Sequence, residues 1–132
     1  MGEIFKNIIE EHFYQEILNS LRDEIMNNYC HYDLTIRANV VQEVLEASLK
    51  NMDIMRVYNI NQDDEEICFN ALVSCSIEIG DYVYGENVSE SVCQWFELSC
   101  SAILENTELK DFSVDEIKAY NKQRGLSAYE SK

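Results

Sequence analysis

Proline is absent from this 132-residue chain and glycine occurs only four times. A Pro-rich linker, a collagen-like segment and a glycine-rich phosphate loop are thereby excluded. No apolar run approaches the 18 or so residues that a membrane-spanning helix needs. Positive charge is scarce as well, with ten Lys and Arg against 25 acids. Residues 57–109 carry eleven acids and not one Lys or Arg, and they hold most of the formal net charge of −15. What is plentiful is apolar mass: 46% of residues are hydrophobic, with eight Tyr, five Phe and one Trp. That is enough for a packed core, so the charge does not imply disorder. The length fits one domain, expected over 1–126, with 127–132 as a mobile tail.

Hydrophobic periodicity predicts an α+β fold. Ile4, Phe5, Ile8, Ile9, Phe13, Ile17, Leu18, Leu21 and Ile25 recur at three- and four-residue steps and mark a helix over about 3–26. A second helix is expected at 34–50, on Ile36, Val40, Val41, Val44, Leu45 and Leu49. A short strand follows near 54–60. The strongest signal is at 66–79, where seven odd positions from Ile67 to Ile79 are all apolar and the even positions are mostly polar. Such alternation means a long strand with one face on the core. Gly80-Asp81 is read as a turn and residues 82–84 as a further short strand. Two C-terminal helices are expected, at 88–105 and 114–124. The predicted architecture is two N-terminal helices, a small antiparallel sheet with one long strand, and two C-terminal helices packed on one sheet face.

Sites of chemistry are few. Cys30 and His31 are adjacent in a polar loop and would supply two metal ligands, but a zinc centre needs about four. The pair also lacks an orienting group for nucleophilic catalysis. Residues 59–66 resemble a calcium loop only loosely, since the turn glycine is missing. Motifs for metalloproteases, serine hydrolases, P-loops and dinucleotide folds are absent. A non-catalytic protein without metal or cofactor is therefore expected. Five cysteines, an odd number, with no secretory leader argue for free thiols in the cytoplasm.

Charge then becomes the functional lead. A binding surface is expected from Asp63, Asp64, Glu65, Glu66, Glu78, Asp81, Glu86, Glu90, Glu97 and Glu105, with Tyr82 and Tyr84 as aromatic anchors. Free nucleic acid and anionic membrane are disfavoured partners, because phosphate binding requires rows of Lys and Arg. A basic protein, above all a nucleic-acid-handling enzyme, is favoured. A solvated acidic surface without a partner, a non-catalytic interaction domain forming a homodimer through the outer sheet face around Leu72, and, ranked below these, a metal-dependent enzyme using Cys30, His31 and the acidic turn are the alternatives.

The small size, the base-free stretch 57–109 and the run Asp63-Asp64-Glu65-Glu66 resemble, in general build, the small acidic anti-defence inhibitors of phages and mobile elements. These are the anti-CRISPR and anti-restriction proteins, several of which act as DNA mimics. The resemblance covers the chain's character rather than a motif, so no site residue carries over from it. It implies an inhibitor that occupies the basic nucleic-acid channel of a partner such as a CRISPR nuclease or a restriction enzyme.

Overall fold

A computed structural model describes residues 2–32, 34, 38–106 and 108–120. One long helix, α1 (Gly2–Asn28), is followed by a one-turn 3-10 helix (Tyr29–His31) and four strands. These are β1 (Glu46–Asp63), β2 (Glu66–Val83), β3 (Glu86–Glu105) and β4 (Glu108–Tyr120). They form one antiparallel sheet in the order β1-β2-β3-β4. Among the described residues no helix is long and apolar enough to cross a membrane.

The helix buries a single line of side chains. Ile9, Ile17, Leu21 and Ile25 are fully buried and Phe13 nearly so, whereas Ile4 is 68% and Ile8 37% exposed. These five buried residues are spaced by four. Each step of four overshoots a full turn by roughly 40°, so the line winds by about 160° between Ile9 and Ile25. A flat surface could not follow it. The sheet curls instead, and α1 touches both edge strands, β1 and β4. Phe13 stacks on Phe112 of β4 with centroids 4.7 Å apart, and Phe5 meets Phe69 of β2 edge-on at 5.1 Å. Near mid-helix the Tyr14 hydroxyl donates to the Met52 carbonyl of β1 at 2.7 Å.

Strand β2 carries the core, as its alternation predicts. Phe69, Ala71, Val73, Cys75, Ile77 and Ile79 all face the helix side and are buried. It runs to Val83, however, straight through Gly80-Asp81. Gly80 instead lies under the Glu46 side chain: a Cβ there would come within 2.8 Å of it, so the Glu46 chain would have to shift. The chain turns at Tyr84-Gly85, where both residues have positive φ, 52° and 81°. That is the signature of a two-residue type I′ hairpin turn, whose twist matches that of the flanking strands. Residues 82–84 are thus the end of β2 and its turn, not a separate strand.

Three expected helices are replaced. The segment 88–105 belongs to β3, which pairs with β2 from Glu86 to Ile103. Its inward residues are Val92, Gln94, Phe96, Leu98, Cys100 and Ala102, all buried. The expected helix at 114–124 is β4 as far as Tyr120, and residues 121–132, including the expected tail 127–132, lie outside the described residues. The expected second helix dissolves into an irregular connector over 38–45 and the first turn of β1, with residues 35–37 outside the described set. Among the described residues the fold is one long helix against a four-stranded antiparallel meander, not two N-terminal and two C-terminal helices packed on one face of a small sheet.

Bulges explain the misleading periodicity. β1 has register shifts between Leu49 and Asn51, Ile54 and Arg56, and Tyr58 and Asn61. Each extra residue flips the parity of the inward face. The buried positions of β1 accordingly run Ala47, Leu49, then Met52, Ile54, then Val57. β3 and β4 carry two further shifts, and the core-facing positions of β4 run Leu109, Phe112, Val114, Ile117 and Ala119. Steps of three and two read like a helix. Asn59 and Asp111 sit at bulges with φ 55° and 53°, a region that Asn and Asp enter more readily than most side chains.

Candidate partner-binding site

The meander places the β1–β2 and β3–β4 turns at one end of the sheet and the β2–β3 turn at the other. Asp63, Asp64, Glu65 and Glu66 form the first of these tips, with Asp64 at φ 57°. Glu105 and Glu108 flank the second. The two tips are tied together, since the Leu104 N–H donates to the Glu65 carbonyl at 2.6 Å. Glu105 is paired with Lys110 at 2.7 Å. Hairpin centres two strand spacings apart are separated by about 10 Å. Six carboxylates less the Lys110 cation leave about one net negative charge per 2 Å over that distance, somewhat below the one per roughly 1.7 Å of axis in duplex DNA. Residues 59–66 are extended strand and a tight turn rather than a loop folded around a cation.

A groove opens at this same acidic end. Its volume is about 520 Å3. Phe5, Ile8 and Phe13 of α1 form one wall, and Ile67, Leu104 and Leu109 of the sheet form the other. His12 and Glu108, both exposed, are its polar lining residues. Nothing in the sequence joins these positions, because they come from three distant segments.

Other expected site residues are elsewhere. Tyr82 and Tyr84, 60% and 96% exposed, and Glu86 occupy the opposite, β2–β3 end. The whole of β2, roughly 55 Å of chain at 3.3 Å per residue, runs between the two ends. Glu78 and Glu97 lie on the outer sheet face. Glu78 is bridged to Lys50 at 3.2 Å, and Glu97 accepts a hydrogen bond from the Tyr58 hydroxyl. Burial, reinforced by that bond, pushes the Tyr58 hydroxyl well above its ordinary pKa, and the Arg56 guanidinium lies 4.6 Å from its ring centre.

Asp81 and Glu90 point to the helix side and hold the 38–45 connector. The Glu90 carboxylate accepts from the N–H groups of Asn39, Val40 and Val41 at 2.5, 2.8 and 3.0 Å. The Asp81 carboxylate accepts from Gln42 and Glu43 at 3.0 and 3.1 Å and from its neighbour Tyr82 at 2.6 Å. Hydrogen bonds to the charged form lower a carboxyl pKa. The Val41 N–H foremost, then Asn39 and Val40, hold Glu90 below its usual range; the Gln42 N–H does most for Asp81, against the opposing effect of burial. These two acids organise the chain's own backbone.

On the outer face Leu72 is only 5% exposed and sits in register between Arg56 and Glu97. A dimer seam centred on it would find the residue already covered. Trp95 stacks on Tyr120 beside it, centroids 6.1 Å apart. Cys30 and His31 are exposed on the 3-10 turn. Among the described residues no group of three or more His, Cys, Asp or Glu side chains is placed to hold a metal. The twelve expected residues therefore do not form one surface: they divide into an acidic end, an aromatic end, an outer face and an internal clamp. No family model, curated protein or solved structure matches the chain, so the site stands on its geometry alone.

Proposed function

We propose that this chain is a non-catalytic binding protein whose acidic end engages the basic surface of a protein partner, a nucleic-acid-handling enzyme being the best fit. The observation that carries the reading is the convergence of two hairpin tips bearing Asp63, Asp64, Glu65, Glu66, Glu105 and Glu108. Rigid β-hairpins hold these charges without the entropy cost of ordering a loop. Such a cluster speeds encounter with a basic surface, and the attraction falls as salt screens it. Occupation of a nucleic-acid channel in the manner of a DNA mimic is the inhibitory form of this activity.

The test is affinity capture from cells with the wild type and with a variant carrying Asp63→Lys, Asp64→Lys, Glu65→Lys and Glu66→Lys. The wild type is expected to enrich a basic nucleic-acid-handling enzyme, to lose it as salt is raised, and to displace nucleic acid from it. The variant is expected to lose it at all salt concentrations. Equal capture by both proteins, or capture of no such enzyme by the wild type, would overturn the proposal.

A further inference from the structure

We propose that the groove between α1 and the β3–β4 hairpin receives a large apolar side chain from a basic peptide segment, so that the acidic end recognises an apolar anchor flanked by cations. This deepens the reading above and rests on it. The groove volume, about 520 Å3, falls within the roughly 300–1,000 Å3 typical of ligand pockets. Its walls are apolar, and Ile4 and Ile8 extend an uncovered apolar margin along the first turns of α1.

Charge selects the occupant. Leu104, a wall of the groove, is hydrogen-bonded through its N–H to Glu65 of the acidic tip. Glu108 lines the groove itself. Any chain entering therefore passes carboxylates on its way to the apolar walls. A fatty acid or other anion would bring its head group against them, and a second copy would bring a further net charge of −15. A lysine- or arginine-rich segment satisfies both features. The groove anchors its apolar side chain, and the tips attract the residues on either side. In this arrangement charge governs the rate of encounter, while the buried anchor governs how long the complex lasts.

The experiment uses two fluorescein-labelled synthetic heptapeptides, three Lys on either side of a central Trp or a central Ala, read by anisotropy at low salt. Burial of the Trp ring is expected to make the Trp peptide bind about tenfold or more tighter at equal charge. Ile8→Trp, which fills the groove from a partly exposed position, is expected to erase that difference and leave the Ala peptide unaffected. Ile4→Trp places the same ring outside the lining and is expected to preserve the difference; circular dichroism confirms that both variants fold. Equal affinity of the two peptides for the wild type would overturn the groove proposal while leaving the acidic end as a binding surface. Binding of neither peptide would overturn the acidic-end reading and this one together. Binding of uncharged N-acetyl-tryptophanamide as tightly as the Trp peptide would make the groove a small-molecule site and overturn the proposal.

Discussion

Replacing Ile17 with alanine tests the docking of α1 on the curled sheet. Ile17 is the midpoint of the winding line, with no exposed surface, two buried residues before it and two after. Removing a fully buried isoleucine to its β-carbon costs about 2–5 kcal/mol, made up of lost transfer energy and a residual cavity. The upper part of that range, about 3–4 kcal/mol, is expected here, because a helix held on both sides of the gap, by Ile9 and Phe13 before it and by Leu21 and Ile25 after it, relaxes little into it. Against a total stability of about 5–15 kcal/mol this is a large fraction. It corresponds to a drop in Tm of roughly 10–20 °C for a domain of this size. Urea unfolding followed by circular dichroism measures it, and an unchanged m-value shows that the same surface is still exposed on unfolding. Ile4→Ala is the control. At 68% exposure it is expected to stay within about 0.5 kcal/mol of the wild type. A loss below about 1 kcal/mol for Ile17→Ala, or an equal loss for Ile4→Ala, would refute docking through the four-spaced line.

Three further predictions concern the clamp, the thiols and the hairpin turn. The depressed carboxyls of Asp81 and Glu90 contribute stability that is fully present above their unfolded values, about pH 4, and lost as pH falls through their folded ones. The pair Asp81→Asn and Glu90→Gln should therefore lower Tm at pH 7, with the gap to the wild type closing towards pH 3; a gap independent of pH would contradict the clamp. Cys75 and Cys100 are buried, their thiols pushed up to about 12 chiefly by burial, while Cys30, Cys68 and Cys93 are exposed. A thiol reagent should thus titrate three cysteines in the native protein and five in denaturant, and more than three fast thiols would contradict the core. Tyr84 holds φ 52° while 96% exposed, so Tyr84→Asn, which completes an Asn-Gly turn, should stabilise the protein by about 0.5–1 kcal/mol in urea unfolding.

The parts legible in the sequence were those governed by neighbouring residues. The helical line from Ile9 to Ile25 and the alternation from Ile67 to Ile79 each repeat without interruption, so α1 and the heart of β2 could be recognised. β3 alternates as well, but Gln94 faces inward while Trp95 and Ile103 face outward, and the same residues also compose a helical face. β1 and β4 hide behind bulges that reset their parity. The 38–45 connector is fixed by Asp81 and Glu90 from about 40–50 residues away, a relation no local pattern records. The site follows the same division. The run Asp63–Glu66 announces itself, but its union with Glu105 and Glu108 depends on β3 and β4 being a hairpin. The apolar groove depends on the docking of α1 as well.

The meander also sets a schedule for the growing chain. Each strand pairs with a neighbour in sequence, and the short turns between them cost little closure entropy. Hairpins can close as soon as they emerge, but the helix cannot finish docking with them. Phe13 stacks on Phe112, so its partner is made 99 residues later, roughly 5–20 s at ordinary rates of synthesis. Over that interval the first-made element carries its apolar line without the last strand to close over it. The form of this protein most open to aggregation or chaperone capture is thus the nascent one.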